Sequence, residues 1–291
     1  MKGRDGVVLK RRLRGKNKQV QFLFRDFLPP VVLEVYRSLQ GRYGFFGDYA
    51  DWKDAKNAST GYDSDLILEK VRDSTLKVKN GGSHYERDSV LFDKVQYPWP
   101  LLAGLLWIAT QKECRLNLLD FGGSLGSSYY QNRKFLAHLK ELRWCIVEQK
   151  KFVECGKRDF ENEHLKFHED LDDCFRTQRP DAILFSSVLQ YLENPYAILD
   201  KVLKLGFEFI LIDRTPLIES GDDRITVQKV PPSIYDASYP AWFFNREKFL
   251  SFLSGDYELM AEFDALSGTI HLRGARAVDK GFVFRKIRAR E

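Results

Sequence analysis

The residues best suited to chemistry form one continuous stretch, Asp120-Phe121-Gly122-Gly123-Ser124-Leu125-Gly126-Ser127-Ser128. Glycines at this density let a backbone turn sharply and approach a ligand without a Cβ in the way. A short apolar strand, residues 116–121, precedes the turn, and a helical pattern over 127–140 follows, with Phe135, Leu136 and Leu139 inward. The first turn of such a helix presents free backbone N–H groups, which suit an anion such as a carboxylate. Glu148 ends a second apolar strand, 26 residues beyond Gly122. At that distance an acid can accept hydrogen bonds from both hydroxyls of a ribose. The combination points to a nucleoside-bearing ligand. The plainer alternative is a structural glycine turn with a surface Glu nearby.

These residues need a scaffold, and the pattern supplies one. Strands are expected at 116–121, 144–147, 165–167, 182–185 and 207–212, alternating with helices at 127–140 and 152–159. A further helix is marked by Leu189, Leu192, Tyr196, Leu199 and Val202, spaced by three or four. A helix at 245–254 and strands at 257–263 and 282–286 close the chain. Repeated strand–helix units imply an α/β fold with a parallel, doubly wound sheet. In such sheets the ligand sits beyond the carboxyl ends of the strands, at the switch in strand order. The final two strands, with no helix between them, suggest an antiparallel edge hairpin.

Upstream, residues 1–18 read as a basic disordered tail and 19–60 as aromatic-rich and irregular. A helix starts near Tyr62, with Leu66, Ile67 and Val71 on one face and Asp63 or Ser64 as its cap. A second helical stretch is expected at 88–112, interrupted by Pro98 and Pro100. The expected organisation is thus tail 1–18, N-terminal helical or cap extension 19–112, and ligand-binding domain 113–291 with a loop-rich insert at 213–241.

The glycine turn leaves two cofactor frames open. A methyltransferase turn commonly reads Asp-x-Gly-x-Gly-x-Gly, and here Ser124 replaces the middle Gly. A nicotinamide turn reads Gly-x-Gly-x-x-Gly, which needs a Gly at Phe121. Asp120, two residues before Gly122, favours the first frame, as does the terminal strand pair after five alternating units.

Several segments together carry a family resemblance. Residues 120–133 (DFGGSLGSSYYQNR), 144–156 (WCIVEQKKFVECG), 186–199 (SSVLQYLENPYAIL), 212–216 (IDRTP) and 237–244 (ASYPAWFF) resemble a family of bacterial proteins assigned as methyltransferases. Residues 61–71 and 86–92 resemble it too, so the match spans about residues 20–286. That family is often associated with surface-polysaccharide gene clusters. The resemblance implies a Rossmann-like, seven-stranded class I methyltransferase sheet and S-adenosylmethionine as cofactor. It implies binding through Asp120, Gly122, Gly123, Ser124, Gly126 and Glu148. It also places His168, Glu169 and Asp170 beside the adenine amine, and Ser186 and Ser187 under the methionine part. The trio otherwise reads as a solvated turn, and the serine pair as a helix N-cap.

A methyl acceptor must be aligned with the S–CH₃ bond, and a hydroxyl acceptor gains from a base. Asp213, His84 and Asp236 are the candidate proton acceptors. His84 otherwise reads as an exposed loop residue, and Asp213 as an ion-pair partner of Arg214. Tyr235, Asp236, Tyr239 and Trp242 are candidates to line the acceptor pocket, with aromatic faces that suit a sugar ring. Two other readings stay open: a catalytically silent S-adenosylmethionine-binding scaffold or sensor, and an NAD(P)-dependent oxidoreductase.

Composition narrows the field. The net charge of +5 divides into +7 over residues 1–18 and −2 (5 − 7) over the remainder, so the folded body is not expected to bind nucleic acid. The tail with Phe22, Leu23, Phe24, Phe27 and Leu28 suits an anionic membrane surface; it equally suits a solubilising tail beside a core segment. The uncharged apolar run 101–109 is far short of the roughly 20 residues a spanning helix needs, and a cytoplasmic location is expected. Cys114, Cys145, Cys155 and Cys174 match no zinc spacing and read as buried thiols of a reducing compartment, with no metal expected.

Overall fold

A computed structural model describes residues 43–61, 64–87, 89–232, 234 and 236–287. The basic tail, the stretch up to residue 42, Asp63 and Tyr235 lie outside the described residues, as does the expected membrane contact of residues 1–28.

Seven strands build the central sheet: β4 (Arg115–Phe121), β5 (Glu141–Val147), β6 (Leu165–His168), β7 (Ala182–Ser186), β8 (Phe209–Ile218), β11 (Tyr257–Leu272) and β12 (Ala275–Lys286). Their order is β6-β5-β4-β7-β8-β12-β11. The first five run parallel; β12 is antiparallel to β8, and β11 to β12. This is a Rossmann-like, doubly wound seven-stranded sheet with a reversed β12, as the sequence implies. The predicted terminal hairpin is present, but β12 is interior and only β11 forms the edge.

The central strands are buried on both faces, which is why they read as continuous apolar runs. Leu118, Trp144, Ile146, Leu184 and Leu211 join one core cluster, and Leu119, Cys145, Ile183, Phe185 and Ile210 the other. Helices α4 (Ser127–Leu136) and α5 (Lys150–Asp159) contribute to the first cluster, and α6 (Leu171–Gln178), α7 (Pro195–Leu205) and α8 (Arg246–Ser254) to the second.

The N-terminal extension is not purely helical. It comprises β1 (Gly44–Tyr49), α1 (Trp52–Asn57), α2 (Ser64–Lys79), the hairpin β2 (Tyr85–Arg87) and β3 (Val90–Phe92), and α3 (Trp99–Gln111). The helix expected from residue 88 begins only at Trp99, with Pro98 at its N-cap and Pro100 in its first turn. Proline disfavours helical backbone just before it and suits the first helical turn, so these prolines set the boundary rather than interrupting a longer helix. Ile67, Val71, Leu101, Leu102 and Leu105 pack into the same cluster as Trp144 and Leu118.

The insert expected as loop is mostly strand. β8 continues to Ile218, followed by β9 (Arg224–Lys229) and β10 (Ser238–Asn245), which pair antiparallel. β12 occupies one edge of β8 from Phe209 to Ile218. On the other edge, β7 pairs with residues 209–213, and β10 then takes Leu217 and Ile218. The β9–β10 hairpin therefore stands where β7 ends, beyond its carboxyl terminus. β1 extends it through β9, and Gly61 bridges to Ser238.

Candidate functional site

A cavity of about 950 Å³ opens at the carboxyl ends of β4, β5 and β7, beside Arg214 midway along β8. The strand order reverses beside β4, between β5 and β7, which is where doubly wound sheets bind ligands. Ile67 and Val71 of α2, Tyr85 and Glu86 of β2, and Trp52 and Lys56 of α1 cover it from the N-terminal side. Gln228, Val230 and Tyr239 wall it from the β9–β10 hairpin.

The glycine turn is held by its own backbone. Gly122 N–H donates to Val147 O at 2.9 Å, and Gly126 N–H to Gly123 O at 3.0 Å. Gly122 has φ +70°, and a Cβ there would lie 2.4 Å from Val188 Cγ2. A Cβ on Gly123 would lie 2.5 Å from the Asp120 carboxyl. Ser124 adopts φ 54°. Its N–H donates to Glu148 Oε1 at 3.2 Å, while Gln149 N–H donates to Oε2 at 2.8 Å. Burial pushes the Glu148 carboxyl above its ordinary range, against these two hydrogen bonds.

Asp120 is 1% exposed. Trp144 Nε1 donates to its Oδ2 at 3.1 Å, and Oδ1 is buried without a hydrogen-bond partner. Burial pushes this carboxyl up to about 7 against the Trp144 hydrogen bond; Glu148 adds to the rise and Arg214 opposes it.

Where β7 ends and midway along β8, Ser186 Oγ donates to Asp213 Oδ2 at 2.9 Å. Arg214 places Nε 3.3 Å from Asp213 Oδ2 and donates to Ser186 Oγ at 3.0 Å. Asp213 is buried behind this pair, whereas Ser186, Ser187 and Arg214 line the cavity. Ser187 is not a side-chain cap of the following 3₁₀ turn; its N–H donates to Asp213 O at 2.9 Å, and its Oγ accepts from Gln190. Four non-glycine residues in the left-handed region, Ser89, Ser124, Ser187 and Arg214, line this one cavity. Such strain costs about 1–3 kcal/mol per residue and clusters where a site demands it.

Glu169 and Asp170 line the cavity after β6. Asp170 also caps α6, its Oδ1 accepting from Asp172 N–H and Asp173 N–H at 2.8 and 2.9 Å. His168 points elsewhere: its Nδ1 lies 3.2 Å from Asp173 Oδ2.

The remaining sequence candidates divide. Tyr239 lines the cavity, edge-on to Tyr191, whose hydroxyl donates to Gln228 Oε1 at 2.8 Å. Trp242 does not line it, but stacks on Trp52 at 5.9 Å and donates to Leu192 O. Asp236 and His84 are exposed and outside the lining. Glu86, at 2% exposure, is a lining acid that sequence reasoning missed; it accepts from Ser127 Oγ at the start of α4 and from Ser89 N–H. A lone acid in a short polar hairpin carries no periodic signal.

No protein-family model and no curated protein matches the chain. Solved structures resemble it at low identity. The N-terminal domain of EvdMO1 in the presence of SAH and D-fucose is 14% identical over 78% of this chain and 98% of that one, with a TM-score of 0.46. A 1,6-didemethyltoxoflavin-N1-methyltransferase from Burkholderia thailandensis is 13% identical over 78% and 92%, with a TM-score of 0.39. Magnesium protoporphyrin IX methyltransferase from Synechocystis PCC 6803, with bound SAM, is 11% identical over 78% and 99%, with a TM-score of 0.41. Among the described residues no helix is long and apolar enough to cross a membrane.

Proposed function

We propose that this chain binds S-adenosylmethionine and transfers its methyl group to a small, carbohydrate-like acceptor of the kind used in surface-polysaccharide assembly. One observation carries the reading: Gly122, Gly123 and Ser124 of the turn, Glu148 and Ser186-Ser187 converge on a single cavity at the strand-order switch of a sheet with a reversed β12, while Gly126 caps α4 outside the lining. The groups present fit the cofactor. The start of α4 offers N–H groups to a carboxylate, Glu148 offers acceptors to ribose hydroxyls, and Glu169 and Asp170 border the adenine end. Asp120 Oδ1 is a buried acceptor with capacity to spare. Bound there, S-adenosylmethionine supplies an electrophilic methyl group, so the protein's task is alignment and removal of a proton.

The acceptor half is read from Trp52, Tyr191 and Tyr239, which offer flat faces, and Lys56, Gln228 and Arg214, which offer polar contacts. Asp213 is the remaining candidate base, acting through Ser186. Its engagement by both Ser186 and Arg214 favours, as a second reading, a binding protein without turnover.

Calorimetry with S-adenosylmethionine and NADH, followed by a labelled-methyl assay in cell extract, tests both. Binding of S-adenosylmethionine with formation of its demethylated product supports the enzyme. Binding without turnover selects the silent reading, and binding of NADH alone overturns both.

A further inference from the structure

Behind the adenine end of the cavity lie three metal-binding groups that the proposed methyl transfer does not use. Cys145 on β5, His168 at the end of β6 and Cys174 on α6 place their ligand atoms within 4.8 Å of one another. Both thiols are fully buried, and the His168 side chain is 13% exposed. One ring nitrogen of His168 is already oriented, because Nδ1 lies 3.2 Å from the Asp173 carboxylate. The other, Nε2, is buried and makes no regular hydrogen bond; the Cys145 thiol is its neighbour, and Cys145 in turn interacts with the Cys174 thiol.

A tetrahedral ion bound at about 2.3 Å by sulfur and about 2.0–2.1 Å by nitrogen sets its ligands roughly 3.5–3.8 Å apart, within the observed spread. Two thiolates and a neutral imidazole also cancel a divalent charge, leaving no net charge in a buried site. A carboxylate on the far ring nitrogen is the usual partner of a zinc-ligating histidine, fixing its tautomer and orientation. The elements are themselves held in place: Cys145 by its strand register opposite Lys166, and Cys174 by an α6 start that Asp170 caps.

We propose that Cys145 Sγ, Cys174 Sγ and His168 Nε2 bind one Zn²⁺, with Asp173 orienting the imidazole. The ion would tie β5, β6 and α6 together beside Glu169 and Asp170, with three protein ligands and its fourth tetrahedral position left to a water. This departs from the expectation of no metal drawn from the cysteine spacing, since the three ligands come from separate elements. It does not depend on methyl transfer.

The test uses the full chain, reduced and stripped with a chelator, in a Cys114→Ser background that removes the exposed thiol. Equilibrium dialysis with Zn²⁺ should load one ion per chain and raise the melting temperature. Asp173→Ala, altered only at a partly exposed side chain, should stay folded and need about 10–100-fold more zinc for half-loading. Asp172→Ala should load like the parent. Co²⁺ in place of Zn²⁺ should give a thiolate-to-metal absorption that Cys174→Ser diminishes. Failure of the parent to load zinc, loading equal in the Asp173→Ala chain, or cobalt uptake without thiolate absorption would each overturn the proposal. So would a Cys145–Cys174 disulfide whose reduction restores no zinc uptake.

Discussion

The Ser124 backbone N–H donates to the Glu148 carboxylate at 3.2 Å, so the left-handed residue of the glycine turn and the acid that ends β5 form one hydrogen-bonded unit. Each carboxylate oxygen has about two acceptor sites. One on each is occupied, by Ser124 and Gln149, and the other remains for a ribose hydroxyl. Glu148→Ala should therefore weaken S-adenosylmethionine binding by two hydrogen bonds to a charged acceptor, about 1.5–3 kcal/mol each. Unchanged affinity in calorimetry would remove Glu148 from the site.

The glycine turn tolerates no side chain even without a ligand. A Cβ on Gly122 meets Val188 at 2.4 Å and must also adopt φ +70°. Gly122→Val should lower stability by more than the roughly 1–2 kcal/mol that left-handed backbone costs an ordinary residue, and should abolish cofactor binding with it. Thermal unfolding indistinguishable from the parent would refute this.

Asp120 makes stability depend on pH. Its folded pKa of about 7 stands above the ordinary 3.8, so the native state holds a proton that the unfolded chain releases. Its contribution is most favourable below about pH 4 and is lost as pH rises to 7, on the order of 4 kcal/mol at most. Asp120→Asn should flatten that part of the profile and gain relative stability at pH 8, as measured by denaturant unfolding at a series of pH values. A parallel profile would contradict the assignment.

Removing Asp213 takes away the acceptor of Ser186 Oγ and the ion-pair partner of Arg214. Arg214 keeps Ser186 Oγ as an acceptor, so Asp213→Ala should destabilise the chain by about 1–3 kcal/mol, the cost of the partly buried hydroxyl left without its acceptor. Asp213→Asn should lose less stability while abolishing methyl transfer. Full activity in the Asn variant would exclude Asp213 as base.

Trp52 lines the cavity from α1 and stacks on Trp242 at 5.9 Å. Trp52→Ala should cost about 0.5–1.5 kcal/mol of stacking and raise the acceptor KM, while S-adenosylmethionine affinity stays unchanged. Loss of cofactor binding instead would place Trp52 on the other half of the site.

Local signals in the sequence carried the five parallel strands β4 to β8, the helices that follow β4, β5 and β7, the glycine turn and the acid at Glu148; they did not mark α6, a short helix over Leu171–Gln178. Alternating apolar runs and breakers are written residue by residue, and the turn's conformation depends on its own glycines. Non-local pairing decided the rest. The insert reads as loop because Pro216, Pro231, Pro232 and Pro240 dominate it, yet β8 offers a free edge once β7 stops at Ser186, and β10 takes it. Pro240 is accommodated within that β10 strand. Glu86 became a cavity wall through its contact with Ser127, which no spacing encodes. His84, two residues away, turned outward. Cys145, His168 and Cys174 form no metal-ligand spacing in the sequence; the β5–β6 register and the packing of α6 bring them together. Backbone turns are local, whereas a cluster drawn from three elements exists only once the sheet has formed.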